Sequence, residues 1–132
     1  MLFEPRPTAY DIKFNLLGHD VRVNPLFFLL PVFFARGLAS EDANLGMTIV
    51  LVAVMYFLSI LVHEFGHALA FRYFGIHSRI VLYMMGGLAI PDRGSWGTSN
   101  KPLSANQQMF VSFAGPLAGF ILAGLLVLLA LA

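Results

Sequence analysis

Apolar and polar residues alternate at the start of the chain and then give way to continuous apolar stretches. Between residues 10 and 23 the alternation has a period of two, broken once by a Gly-His-Asp turn, and it predicts a β-hairpin. Residues 24–39 form an apolar segment that two prolines and Arg36 interrupt. Because this segment is shorter than the roughly 20 residues that a spanning helix needs, it predicts either a kinked span or a re-entrant piece.

Two later stretches are long enough for transmembrane helices. The run from Ala43 to Val62 carries no charged residue and predicts a helix over residues 43–73. Residues 103–132 are also uncharged and predict a last helix, which the Gly-Pro pair at Gly115 should kink. Gly119 lies four residues after Gly115, a spacing that lets a second helix approach closely.

The region between the long helices has a different pattern. Residues 76–90 hold β-branched and aromatic residues broken by Gly86 and Gly87, so they predict a second hairpin or a re-entrant strand pair. Residues 92–102 are polar and predict a loop, in which Trp96 is most simply an anchor at the membrane interface.

The composition assigns the chain to a class of protein. It is 58% hydrophobic and 11% charged, whereas a soluble domain has about 25% charged residues. Residues 1–132 should form a single membrane-embedded domain: a polytopic α-helical membrane protein with about three transmembrane segments and small juxtamembrane β-hairpins. A net charge of +1 gives no case for a nucleic-acid partner, and the absence of cysteine excludes thiolate zinc sites.

One motif indicates a catalytic or metal-binding function. It is the sequence His-Glu-Phe-Gly-His at residues 63–67. On a helix, His63 and His67 lie about one turn apart, so their rings can converge on one Zn²⁺ ion in the lipid bilayer or at its edge. Glu64 lies about 100° from His63 around the helix axis, near enough to act on a zinc-bound water without being a ligand. Zinc lowers the pKa of that water to about 7, and a carboxylate can carry its proton to the leaving amine. The motif therefore predicts a peptide-hydrolysing site.

A plainer interpretation competes with this one. The match could be accidental, with the two histidines serving as ordinary polar residues near the end of a helix in a purely structural bundle. An ionisable side chain near a membrane interior is costly and rarely lacks a partner, however, and a metal ion would supply that partner. The location of the motif therefore favours metal binding.

Basic residues predict the orientation in the membrane. Those that flank the predicted spans, apart from Arg36, are Lys13, Arg22, Arg72, Arg79, Arg93 and Lys101. The positive-inside rule then places the N-terminus, the loop between the long helices and the active site toward the cytoplasm. A prokaryotic plasma membrane is the simplest location.

With these features in place, the sequence resembles the site-2 protease family of intramembrane zinc metalloproteases. The resemblance rests on HEFGH at 63–67, Met-Gly-Gly-Leu-Ala at 85–89, Ala-Gly-Pro-Leu-Ala at 114–118 and the strand at 18–25 that leads into an apolar run. It implies that His63 and His67 bind zinc and that Glu64 is the catalytic acid/base. It also implies that Gly86 and Gly87 border the path of the substrate, a single-span membrane protein.

The sequence departs from the family pattern at two points. Family members usually carry Asn three residues after the Gly-Pro proline, where this chain has Gly119. Their third zinc ligand is an Asp on a further span, and this chain shows no such span. The internal candidates, which all fit poorly, are Asp42, Asp92, His19 and His77. We therefore expect the chain to be the N-terminal portion of a longer protease.

The expected function is that of a zinc-dependent intramembrane endopeptidase in regulated intramembrane proteolysis. The alternative is a non-catalytic zinc-binding membrane protein, or pseudo-protease, with an incomplete metal site. A substrate helix shields its own peptide bonds, so it must be held extended before cleavage, and an exposed strand edge could hold it. The strand at residues 80–85 is predicted to offer that edge.

Overall fold

The computed structural model describes residues 4–92 and 101–132, and these fold into three α-helices and one four-stranded sheet. The helices are α1 (Leu29–Leu38), which follows a single 3-10 turn at Pro25–Phe28, α2 (Leu45–Tyr73) and α3 (Ala105–Leu131). The strands are β1 (Ile12–Leu16), β2 (His19–Val23), β3 (Ser78–Tyr83) and β4 (Gly86–Pro91). Trp96, the expected interfacial anchor, and Arg93 lie outside the described residues.

The two predicted hairpins are present, but they form one sheet. The strand order is β1-β2-β3-β4, and β2 runs parallel to β3 with Val21 opposite Ile80 and Val23 opposite Leu82. Parallel neighbours need a crossover connection, and here the chain between β2 and β3 contains α1 and α2. The sequence pattern gives each hairpin separately because alternation reports which face of a strand is buried, not which strand lies beside it.

The prediction that the strand at residues 80–85 offers a free edge is wrong. The strand that contains Ile80, β3, is hydrogen-bonded to β2 on one side and to β4 on the other. Its backbone groups are already paired, so it cannot add a further strand. The edges of the sheet are β1 and β4.

One face of the sheet packs against the C-terminal half of α2. In β2 every second residue is buried, which explains the alternation in the sequence. The cluster of buried apolar side chains at this interface consists of Val21, Val23, Phe27, Leu61, Phe65, Ala68, Ile80 and Leu82. The core of the protein is therefore the layer between the sheet and the part of α2 that carries the HExxH motif.

Only two of the three helices are long enough to span a bilayer. With a rise of about 2.0 Å per residue in the 3-10 turn and 1.5 Å in α1, residues 25–38 extend roughly 23 Å, which is less than the roughly 30 Å of hydrocarbon. Of the about three transmembrane segments expected, two are long candidate spans among the described residues, and the third is the shorter apolar helix over residues 25–38. The 3-10 turn that starts at Pro25 precedes the α-helix, which runs only from Leu29 to Leu38.

The two long helices are not core helices of a soluble protein. They have 29 and 27 residues, and only 6% of the most apolar stretch of each is buried. Their large apolar side chains point outward along most of their length. Such surfaces are covered by lipid in a membrane and would be exposed to water anywhere else.

An ionic network fastens the N-terminal segment to the sheet. Arg22 contacts Asp11 at 2.8 Å and Glu4 at 3.3 Å, and Arg79 contacts Glu4 at 2.8 Å and also pairs with Asp92. Hydrogen bonds from Thr8, together with the Arg22 guanidinium, lower the pKa of Asp11 to about 2. Glu4 has a lowered pKa, chiefly through its hydrogen bond with Arg79, and the same contact raises the pKa of Arg79.

Candidate metal centre

The two motif histidines converge on one point. Helix α2 begins where the Asn44 side chain accepts the Met47 N–H, and it runs without a break to Tyr73, so His63 and His67 share a face. Their Nε2 atoms lie 3.2 Å apart. Two nitrogens that each lie about 2.05 Å from a tetrahedral zinc ion are separated by roughly 3.3 Å. The spacing therefore fits two ligands of a single zinc ion.

A backbone carbonyl on α3 sets the tautomer of His67. The Nδ1 atom of His67 lies 2.7 Å from the Val111 carbonyl oxygen, which can only accept a hydrogen bond. Nδ1 must therefore carry the proton, and this leaves the lone pair of Nε2 free for a metal ion. A hydrogen bond of this kind orients the ring of a ligating histidine and raises its basicity.

Glu64 lies beside the histidines but is held by β4. Its carboxylate belongs to a group in which the ligand atoms of His63, Glu64 and His67 all lie within 4.8 Å of one another. The residue is 7% exposed. A Cβ atom placed on Gly87 would lie 2.5 Å from Cγ of Glu64 and 3.0 Å from Oε1, and the Ala89 backbone amide interacts with the same carboxylate.

Two glycines allow α2 and α3 to touch at the metal centre. A Cβ atom on Gly115 would overlap the imidazole ring of His67, and one on Gly66 would overlap the backbone carbonyl of Ala114. The expected close approach of helices is thus present at Gly115. At Gly119 no described atom lies within 4 Å of a Cβ position, so that glycine plays no part in this contact.

The other residues considered as a third ligand lie elsewhere. Asp92 is paired with Arg79. The ring of His19 contacts those of His77 and of Phe65, which lies inside the motif, but neither histidine belongs to the metal-binding group. In the described part of the chain, the metal-binding group contains His63, Glu64 and His67 and no further His, Asp or Glu. The donor set fits a zinc ion held by two imidazoles, with the carboxylate beside them.

The two glycines expected near the substrate path occupy different positions. Gly87 lies in contact with Glu64, whereas Gly86 has a φ of +122°, a left-handed conformation that glycine adopts without strain, and no described atom near its Cβ position. The structure thus brings Gly87 to the candidate centre and leaves Gly86 at the hairpin turn.

Two components of the site were not among the residues predicted from the sequence. The Val111 carbonyl is a backbone group and has no residue-type signal. The contact of Gly66 with Ala114 also went unnoticed, although Gly66 stands inside the motif itself. A small residue on the same helical face as both histidines was the available signal, because small residues mark close helix contacts in membranes.

Comparison with known proteins gives two matches. The model of peptidase family M50 matches residues 51–132. The structure is similar to the site-2 protease from Methanocaldococcus jannaschii, with a TM-score of 0.58 and 25% sequence identity over 91% of this chain and 51% of that one. The chain thus spans about half the length of that relative. No curated protein matches it.

Proposed function

The chain belongs to peptidase family M50, the site-2 protease family, and on this premise we propose that it is a zinc-dependent intramembrane endopeptidase that cleaves single-span membrane proteins in regulated intramembrane proteolysis. The observation that carries the proposal is the 3.2 Å separation of the two Nε2 atoms, with the Glu64 carboxylate beside them. The two long apolar helices and the family together indicate an integral membrane protein.

Each residue of the site has its own role in the proposed reaction. When bound, zinc supplies the Lewis acidity that ionises water near neutral pH and polarises a peptide carbonyl. His63 and His67 would hold the ion, and the Val111 carbonyl keeps His67 in the binding tautomer. Glu64 accepts the proton of the attacking water and passes it to the leaving amine nitrogen. Its contact with Gly87 holds the carboxylate in place for both transfers.

Removal of the Glu64 charge tests this division of roles. Glu64→Gln should retain zinc and lose cleavage of a co-expressed single-span substrate by about 10²–10⁴-fold, the usual contribution of a general acid/base. Glu41→Gln, which removes an exposed carboxylate ahead of α2, should cleave normally. The protein should be expressed from its complete coding sequence. An active Glu64→Gln protein would refute the assignment.

The substrate is proposed to lie extended along β4. This strand is an edge of the sheet, and its residues Gly87 and Ala89 adjoin Glu64. An edge strand offers backbone hydrogen bonds to replace those that a transmembrane helix loses when it unwinds. Replacing substrate amides near the scissile bond by esters should slow cleavage, whereas the same replacement several residues away should not.

The active site is proposed to face the cytoplasm of a prokaryotic cell. The pairing of β2 with β3 supports this orientation, because it brings Arg22 and Arg79 to the same side of the membrane as the C-terminal end of α2. Since the chain contains no cysteine, the single substitutions Asp20→Cys and Asp42→Cys can report the topology. A membrane-impermeant maleimide added to intact cells should label the Asp42→Cys protein and spare the Asp20→Cys protein.

A non-catalytic zinc-binding protein is the second candidate. It is favoured by the composition of the metal-binding group, which holds only two histidines and Glu64 in the part of the chain that the structure describes. Catalytic zinc usually has three protein ligands. Stoichiometric zinc without cleavage of any single-span substrate would support this candidate, whereas Glu64-dependent cleavage would exclude it.

A further inference from the structure

A cavity lies where α2 ends and β2 begins, and its lining includes none of the metal-binding residues. It has a volume of about 270 Å³ and is lined by Gly18, His19, Arg72, Gly75, Ile76 and His77. Sites for small molecules are usually about 300–1,000 Å³. The cavity is therefore large enough for a head group and too small for a whole lipid.

The charge of this cavity is positive. Arg72 donates one hydrogen bond to the Leu17 carbonyl at 3.1 Å and has no carboxylate partner in the described part of the chain. None of the lining residues is acidic. The last carbonyls of α2 would repel an anion, but those of Ala70, Phe71 and Arg72 already accept N–H groups from residues 74–76. The cavity is thus suited to an anion.

A buried histidine in the lining lacks a partner. His19 is 1% exposed, and its Nδ1 must donate to the Ser78 carbonyl, 3.0 Å away. In the neutral ring, Nε2 then carries a lone pair, and this atom has no hydrogen-bond partner. The neighbouring Ser78 hydroxyl is also buried without one. Buried polar groups are normally satisfied, so the orphaned Nε2 indicates a missing partner. This atom has less than 1 Å² of accessible surface, so a partner in the cavity can reach it only when the exposed His77 ring, which packs edge-on against His19 at 5.6 Å, moves aside.

The cavity lies at the level in the membrane where lipid head groups are found. Arg72 lies at the end of a long apolar helix, beside the exposed Tyr73, where basic and aromatic side chains meet the membrane interface. Lipid phosphates occupy the same level, and arginine recognises them through charge-assisted hydrogen bonds.

We propose that this cavity binds a phosphate group that carries or adjoins a hydroxyl, with Arg72 on the phosphate and Nε2 of His19 accepting from the hydroxyl. Phosphatidylglycerol and hydrogen phosphate both offer this combination. The ring of His19 packs edge-on against Phe65 at 5.6 Å. An occupied cavity therefore stabilises β2 against the turn of α2 that holds Glu64.

The experiment follows the Nε2 resonance of His19 in protein labelled with ¹⁵N-histidine. One arm adds inorganic phosphate to the protein in detergent, and the other compares nanodiscs of phosphatidylcholine with and without phosphatidylglycerol. The resonance should shift in at least one arm. A shift with phosphatidylglycerol alone identifies a lipid, and a shift with inorganic phosphate identifies a soluble source; either outcome supports the site.

Two arginine variants provide the matched control. Arg72→Gln should weaken the response by on the order of tenfold or more, because a hydrogen bond to a charged group is lost. Arg36→Gln removes an exposed arginine from the last turn of α1, which is not part of the cavity lining, and should leave the response unchanged. The proposal is overturned if neither ligand shifts the resonance, or if the two variants behave alike.

Discussion

The two faces of α2 pack by opposite means. Toward the sheet, the helix presents Phe65 and Ala68, and their side chains interdigitate with those of β2 and β3 in the buried cluster. Toward α3, it presents Gly66 and the ring of His67, and these meet backbone atoms of Ala114 and Gly115 directly. The contact with the sheet depends on apolar side chains that fill the interface. The contact with α3 depends on glycines, which leave room for the neighbouring helix.

This difference predicts how each face responds to change. A buried side chain that loses a methyl group leaves a small cavity, into which its neighbours partly relax, so stability falls by degrees. At the α3 face, the backbone at Gly115 lies against the imidazole ring of His67. A helix backbone cannot change rotamer to make room, so a methyl group added there displaces the ring. Substitutions at the sheet face should therefore alter stability, and those at the α3 face should alter metal binding.

The largest effect is expected from one methyl group added at the α3 face. In Gly115→Ala the new Cβ would occupy the space of the His67 ring. Loss of an outer-shell partner costs about 10–100-fold in metal affinity, and here a ligand itself is moved, so we expect a loss of at least about 100-fold. Zinc competition with a chelator, followed by metal analysis of the purified protein, measures it.

Gly119→Ala is the control for this substitution. It adds the same methyl group one turn later on the same helix, where no described atom lies within 4 Å of the Cβ position. Both changes should raise helix propensity, by about 1 kcal/mol per residue in an exposed helix. Equal zinc affinity in the two variants would contradict the comparison drawn between the faces of α2.

How much of the fold and of the site the sequence could predict depends on how far apart in the chain the contacting residues lie. Alternation and composition located the strands, continuous apolar runs located the two long helices, and the four-residue spacing of the motif placed His63 and His67 one turn apart. These features depend on residues near one another in the chain. The sequence pattern could not predict the parallel pairing of Val21 with Ile80, which closes only after the intervening helices fold. Nor could it predict the Val111 carbonyl, because every residue has one.

A smaller effect is expected from one methyl group removed at the sheet face. Ile80 is fully buried in β3, and Ile80→Val should lower the free energy of unfolding by about 0.5–1.5 kcal/mol. Zinc affinity of the folded protein should be unchanged. Ile121→Val, at a position 57% exposed on α3, should change neither quantity. Denaturation in detergent measures the first quantity, and loss of zinc from folded Ile80→Val would contradict the separation of the two faces.

The smallest effect is expected where the N-terminal segment joins the sheet, because the contacts there are ionic and partly open to solvent. The pKa of Asp11 is lowered from 3.8 to about 2, so ionised Asp11 stabilises the fold above pH 3.8, and this contribution is lost as the pH falls through about 2. The difference in thermal midpoint between the native protein and Asp11→Asn should shrink over that interval, whereas zinc bound at pH 7 should be equal in both. A difference that grows as the pH falls would mean that the Thr8 and Arg22 contacts do not favour the charged carboxylate.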